Sequence, residues 1–406
     1  MFRHSVFISF LASCSIWFFQ SVEAQDHYAN FTETIQGLYN LRSEGEIEER
    51  WKNLVLKNQI PYIEEDSVAF LYRGDARKVV WMGDFNGWGY SKKFDNLGTR
   101  IPNTDIWILK ASLPRDARVD YKILLNDRHW IVDPVNPVNQ WSGVGGGSLN
   151  SEVRMPDWKE DMLTKQLVSG AISGRIDKDI LFNSRALGYQ VTYSVYTPPE
   201  YDKDKVYPVA YVTDGYEYMH ERMGNMITVL DNLIHLEKIQ PVVAIFIDHR
   251  DPINRSVNRR MQELPMNVKY RDFLIQELVP VVEGKYSIEK ERSRRAVIGS
   301  ALGGLSATWL AFSRPDLFGM AGIQSPAFWF KPEIYTLCEN ADSMPLKIFM
   351  TTGLIHDSED GAMKMQQVFE KKNCPNLFRA VNQGHSWGNW RDLVDDMLVY
   401  LFPRED

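Results

Sequence analysis

The chain has 406 residues, of which 44% are hydrophobic and 24% charged, and its formal net charge is −7. That length is comfortable for two domains, and the apolar content supports a large core. A modest negative charge without any Lys/Arg-rich run argues against a nucleic-acid partner.

At the start of the chain Arg3 and His4 precede an apolar stretch from Val6 to Phe19, followed by Val22-Glu23-Ala24 before Gln25. A basic residue, an apolar run and a small-residue cleavage site make a signal peptide over residues 1–24, too short to anchor in a bilayer. The expected location is secreted or periplasmic. Leu11-Ala12-Ser13-Cys14 is the rival pattern of a lipoprotein box, but Ile16-Trp17-Phe18-Phe19 carries the apolar run past that cysteine. Nothing else in the chain is apolar enough for a membrane span. Loss of the signal leaves Cys338 and Cys374, whose pairing the sequence does not decide. The histidines and cysteines show no metal-ligand spacing, and neither a metal nor a cofactor is expected.

Residues 25–58 read as a helical leader, with Leu38 to Leu56 rich in Glu, Arg and Lys. From 59 to 155 the texture changes to short alternating strands between Gly, Asn, Asp and Pro turns. Val68–Tyr72, Lys78–Met82, Trp107–Lys110 and Tyr121–Leu125 are the clearest, and together they predict a β-sandwich. Residues 156–183 form a linker containing Ser169-Gly170 and Ser173-Gly174. From 184 to 406 strands alternate with helices, which predicts an α/β domain with a doubly wound, mostly parallel sheet. Val209–Val212, Val242–Ile247 and Leu346–Thr351 read as buried strands. Asp272–Glu283, with Phe273, Leu274, Leu278 and Val281 at helical spacing, reads as a helix.

The chemistry centres on Gly299-Ser300-Ala301-Leu302-Gly303-Gly304, between the β-type run Arg295–Ile298 and the helical run Leu305–Ala311. A strand, a G-x-S-x-G turn and a helix make a nucleophile elbow, which lifts a serine Oγ above the sheet. Here alanine stands in the nucleophile position. Ser300 is no substitute, because a one-residue slip puts Ile298 and Leu302 where small residues are needed to close the turn. Ser325 also lacks the glycine frame, and with Pro326 after it reads as a structural hydroxyl.

Within the sandwich, Val79–Trp88 resembles the start of the glycogen-binding-type modules of branching enzymes, isoamylases and the β subunit of AMP-activated kinase. The likeness continues through Tyr121-Lys122-Ile123, Asn126–Trp130, Asp133–Pro137 and Gly147–Asn150. The resemblance implies that Trp88 and Trp130 stack on sugar rings while Lys122 and Asn150 bond the hydroxyls. An aromatic platform covers the apolar face of a sugar and leaves its polar edge free. The alternative is that the module serves only as a packing partner.

The C-terminal domain resembles the esterase family that includes enterochelin, acetyl-xylan and feruloyl esterases. The matching text includes Tyr196–Tyr201, Tyr207–Gly215, Asn258-Arg259-Arg260, Glu277–Pro280, the elbow, Gln324–Ala327 and Gly384–Trp387. The resemblance implies an α/β-hydrolase whose triad order is nucleophile, acid, histidine. Those roles fall on Ala301 (substituted), Asp357 and His385, with His356, Glu359 and Asp360 near the acid. His385 would be the general base, since imidazole takes and returns a proton near neutrality. Backbone amides of Tyr216 and Leu302 would form the oxyanion hole, which a side-chain change at 301 leaves intact. Trp387, Trp329, Tyr216 and Tyr218 are candidates for an aromatic acyl or sugar pocket. Arg255, Arg259 and Arg260 are candidates for meeting an anionic substrate. The preferred reading is an exported, esterase-fold pseudoenzyme whose partner is a glycan or small-molecule ester. The alternative is an active carboxylic-ester hydrolase acting on decorated polysaccharide or siderophore esters.

Overall fold

A computed structural model describes residues 30–89, 96–143, 147–342 and 345–404. The signal segment and Cys14 lie outside the described residues.

Two antiparallel sheets form the front of the molecule. One orders β1 (Tyr62–Glu64), β2 (Ser67–Arg73), β5 (Ile106–Ser112) and β4 (Thr99–Arg100). The other orders β3 (Val79–Gly83), β6 (Arg118–Leu125), β9 (Ser148–Arg154) and β8 (Asn139–Ser142), with β7 (His129–Ile131) on β6. Strand alternation sends Val119, Tyr121 and Ile123 inward, where Tyr121 packs edge-on to Phe70 with ring centroids 5.0 Å apart. The same alternation turns Arg118, Asp120 and Lys122 outward.

The segment expected as a separate leader belongs to this domain. A helix over residues 30–39 and the helix Glu44–Leu56 bury Ile35, Leu38, Ile47 and Leu54 against Ala69, Leu71, Ile106 and Ile108. Ser43 and Glu46 close a reciprocal capping box that starts the second helix.

Eight strands form the second domain, in the order β10 (Arg175–Asn183), β11 (Gln190–Thr197), β13 (Val243–Asp248), β12 (Val209–Val212), β14 (Arg295–Ser300), β15 (Met320–Gln324), β16 (Lys347–Gly353), β17 (Asn376–Val381). From β13 to β17 neighbours are parallel, while β10 and β11 run antiparallel. This is an α/β-hydrolase core behind a β-sandwich-like domain. The linker is shorter than expected, because residues 175–183 are an edge strand of the sheet. A register shift between Asp177 and Ile180 breaks its alternation, and its largely solvated side chains read as connector.

The two domains meet at the loop that carries His385. The buried Arg118 guanidinium donates to Asp120 at 2.6 Å, to Glu152 at 2.5 Å and to Ser386 Oγ at 3.1 Å. The backbone N–H of Arg118 donates to the Asn382 carbonyl at 3.1 Å. Beside it the buried Asp84 carboxylate accepts from Trp88 Nε1 at 2.9 Å and from Asp120 N at 2.8 Å. Burial, reinforced by the Asp120 charge, pushes the Asp84 carboxyl up to about 7.

A carboxyl raised above its unfolded value binds its proton more tightly in the native state. Its stabilising share is full below about pH 4 and is lost as pH rises toward about 7. Asp84→Asn cannot ionise and escapes that loss. Thermal melts across pH should show the variant gaining on the parent between pH 4 and 7, with a constant difference above; a pH-independent difference refutes the assignment.

Candidate active site

The elbow begins where β14, buried along its length between β12 and β15, runs out at Ser300. Ala301 turns the chain with φ 52° and ψ −112°, and the helix Leu302–Ser313 leads away. A non-glycine residue in that region carries strain. The turn is held on both sides: Ala301 N donates to the Gln324 carbonyl at 2.9 Å, and the Ala301 carbonyl accepts from Ala327 N at 2.9 Å. Gly299 and Gly303 permit the close approach. A Cβ on Gly299 would lie 2.4 Å from both the Gly303 backbone and Thr213 Oγ1, and one on Gly303 would lie 2.5 Å from Thr213 Oγ1.

The two amides expected to form the oxyanion pair share one structural origin. Leu302 opens the long helix, and Tyr216 is second in the short helix Gly215–Met219 that follows β12. First-turn N–H groups have no partner within their own helix and are open to a ligand. Arg260 braces the two segments. Its guanidinium forks onto Asp214 at 2.6 and 2.9 Å and gives a further N–H to the Ser300 carbonyl at 2.9 Å.

Asp357, just beyond β16, is the acid that meets the histidine. His385 Nδ1 lies 2.6 Å from its Oδ1, while Oδ2 accepts from Gly353 N at 2.6 Å and Ser325 Oγ at 2.5 Å. Burial alone would raise this carboxyl. The His385 contact and the donors from Ser325 and Gly353 outweigh it and hold Asp357 below the ordinary value. Glu359 and Asp360 instead sit in the first turn of the helix Glu359–Lys371. The Asp357 side chain is fully buried, whereas that of His385 is 40% exposed and stands edge-on to Trp390 with centroids 5.0 Å apart.

Around this centre the remaining expected residues divide. Ser300 is fully buried. Tyr218 and Trp387 are core, packed edge to face at 5.0 Å, with Tyr218 OH donating to Gln324 at 2.7 Å. Tyr216 remains half-buried, with the Arg250 guanidinium 3.3 Å from its ring centroid and His220 edge-on. Trp329 is 72% exposed, on a cavity of about 720 Å³ between the domains that also touches Leu113, Pro114 and Ile355. The three arginines are already paired: Arg255 with Asp248 and Asp179, Arg259 with Asp251, and the buried Arg260 with Asp214. Cys338 and Cys374 are buried free thiols.

In the sandwich, Lys122 and Asn150 lie on neighbouring strands on the face that carries Asp120, and Trp130 pairs with Leu124 on that same face. Trp130 is exposed and Lys122 half-buried. Asn150 is buried and donates to Asp120 at 3.0 Å, while Trp88 spends its indole N–H on Asp84. Lys122 Nζ also donates to Ser148 Oγ at 3.1 Å, so three of the four residues engage polar groups inside the domain. Sequence reasoning missed the support given by Ser325 and Arg260. Gln324–Ala327 and Asn258–Arg260 were visible as motifs, but only the folded chain shows which carboxylates they serve.

Residues 184–401 match the Esterase family, described as "Putative esterase", and the chain belongs to that family. It is 26% identical over 228 residues to the uncharacterised protein YjcH of Bacillus subtilis, a match covering 53% of this chain and 93% of that one. It is 28% identical over 254 residues to the iron(III) enterobactin esterase of Escherichia coli K12, covering 57% of this chain and 60% of that one. In fold it is similar to the crystal structure of the ferric enterobactin esterase of Salmonella typhimurium. The TM-score is 0.68 at 21% identity, over 82% of this chain and 93% of that one.

Two substitutions test this geometry. Ser325→Ala removes one contact that lowers Asp357, so the stability lost as pH falls through the Asp357 titration should be lost at higher pH. Urea melts should show a cost of about 1.5–3 kcal/mol at neutral pH, the value of a hydrogen bond to a charged group. Ala301→Gly should relieve backbone strain of about 1–3 kcal/mol, less the added freedom of the unfolded chain, for a net gain of about 1 kcal/mol. A stability lowered by the full cost of the added chain freedom, about 0.4–1 kcal/mol, would show that position 301 is unstrained.

Proposed function

We propose that this chain recognises a carboxylic ester through an esterase-type site complete except for its nucleophilic oxygen, and that it acts outside the cytoplasm. The observation that carries this reading is the Asp357–His385 pair at 2.6 Å with its part-exposed imidazole, in a domain whose elbow keeps its nucleophile geometry at Ala301. With serine at 301, His385 would remove its proton as it attacks the carbonyl, and water would then hydrolyse the acyl-enzyme. A methyl group closes that covalent route. The amides of Tyr216 and Leu302 still offer two donors to a carbonyl oxygen. The ligand class follows from the relatives, among which are proteins named enterobactin esterase, and from the aromatic surfaces at Tyr216 and Trp329. The apolar residues 6–19 and the following Val22-Glu23-Ala24 support export.

The second reading is turnover by the chain as it stands, with His385 activating water for direct attack. The names of the relatives and the open imidazole favour it. Loss of the serine alone lowers turnover in a serine hydrolase by about 10⁶, leaving the acceleration that binding and the oxyanion donors provide.

Hydrolysis of a short-acyl nitrophenyl ester and of methyl ferulate by the natural chain, Ala301→Ser and His385→Ala separates the two. An inert natural chain with turnover raised by several powers of ten in Ala301→Ser supports the first reading. Efficient turnover by the natural chain that His385→Ala abolishes overturns it in favour of the second.

A further inference from the structure

The sandwich touches the hydrolase at the loop that presents His385, and it does so with its most deeply buried charges. Asn382, Gln383, Gly384, Ser386 and Gly388 all lie against it. Asn382 accepts from the Arg118 backbone and donates its side-chain amide to Asp116 at 2.8 Å. Arg118 and Gln383 form a parallel bridge. Ser386 Oγ accepts from the Arg118 guanidinium at 3.1 Å. The two glycines are close-contact points. A Cβ on Gly384 would stand 2.1 Å from the Asp84 carboxyl carbon, and one on Gly388 would stand 1.9 Å from the Arg118 guanidinium carbon. Neither contact leaves room for even a methyl group.

The guanidinium cannot drift. It is held by Asp120 and Glu152, both buried, and Glu152 is itself held by Arg154. A buried cation with two buried carboxylates keeps its geometry because any displacement leaves a charge uncompensated. Asp84 is fixed in turn by Trp88 Nε1 and the Asp120 amide. The sandwich therefore offers the loop a rigid wall on both sides of residue 385. Among the described residues the imidazole bonds to Asp357 and stacks edge-on against Trp390.

We propose that the sandwich is a working part of the active site, in which Arg118 and Asp84 are positioning residues that hold the backbone of Gly384–Gly388 and so aim the His385 imidazole. On this view the Gly83–Trp88 turn of a sugar-module-like domain serves as a clamp. Its tryptophan holds its aspartate, and the aspartate abuts Gly384 of the loop. The proposal rests on His385 being the base of the site, a point tested separately by the His385→Ala comparison above.

The experiment uses the full chain and reads the low-field proton resonance shared by His385 Nδ1 and Asp357. Gly388→Ala wedges the loop from Arg118 without removing a charge. Ser386→Ala deletes only the side-chain contact, and Arg118→Lys keeps the cation while shortening its reach. Leu54→Ala, in the leader-helix cluster separate from the core beneath the junction, is the control for general destabilisation. The expected result is shift, broadening or loss of the resonance in the three junction variants and its persistence in Leu54→Ala. In an Ala301→Ser background that turns over ester, the same junction variants should lower kcat by about 10²-fold with little change in KM, the effect of misplacing a catalytic group. If Gly388→Ala does not fold, Ser386→Ala and Arg118→Lys carry the test. A resonance unchanged in the folded junction variants overturns the proposal, as does equal loss in Leu54→Ala.

Discussion

The site depends on one buried ion pair. The amides of Tyr216 and Leu302 belong to segments that leave adjacent strands, β12 and β14, in separate turns. Arg260 ties those turns together by forking onto Asp214 in one and reaching the Ser300 carbonyl in the other. Both side chains are buried, and removing one partner of such a pair costs about 3–5 kcal/mol because the other charge is left unpaired. Gly299 and Gly303 let the turns close onto Thr213 beneath them. None of these contacts involves the side chain of residue 301. The proposed oxyanion geometry is therefore a property of the scaffold, indifferent to whether serine or alanine occupies the elbow.

The same logic extends to the front domain. Arg118 joins β6 and β9 of the sandwich to Ser386 of the hydrolase, across a sequence separation of 268 residues. The interface is ionic and hydrogen-bonded where it meets the histidine loop, and apolar at Ile355, which the sandwich core covers. Directional contacts specify one relative placement of the domains, which apolar packing alone would leave freer to slide.

Legibility in the sequence followed the range of the interactions. The elbow could be read because its constraint is local: two small residues flank a turn between a β-rich and a helical run. The strands from Val209 to Thr351 were legible as buried apolar runs, and the short sandwich strands as alternation between turn residues. β10 was not, because a bulge and an exposed edge erase its period. Helical character was legible from Leu38 to Leu56, but not the earlier helix over 30–39, the break before Ser43, or the docking on Ala69, Leu71 and Ile108, since amphipathic helices do not announce their partners. The arginines at 255 and 260 read as free to meet an anionic substrate because Asp179 and Asp214, which pair with them, lie 76 and 46 residues away in sequence. Ser325 could be dismissed as a nucleophile from its motif, yet its bond to Asp357 needed the ends of β15 and β16 to be side by side.

Alanine at the elbow raises the question of which neighbouring features folding itself requires. Asp357 is buried and must have donors; Gly353, Ser325 and His385 supply them. A folding requirement, however, would be met by any donor sealed from water, and His385 keeps a large part of its ring open with its second nitrogen on the edge away from Asp357. The backbone at 301 makes the same point. Its φ of 52° holds the residue in a strained region, and glycine would relieve that strain. Ala301 itself is packed into the core, so the strain sits in a well-ordered turn rather than in a loose one. On the proposed function both features would face the carbonyl of a bound ester. The strain at 301 and the open imidazole are then costs of recognising a ligand, carried by a scaffold that does not need them to fold.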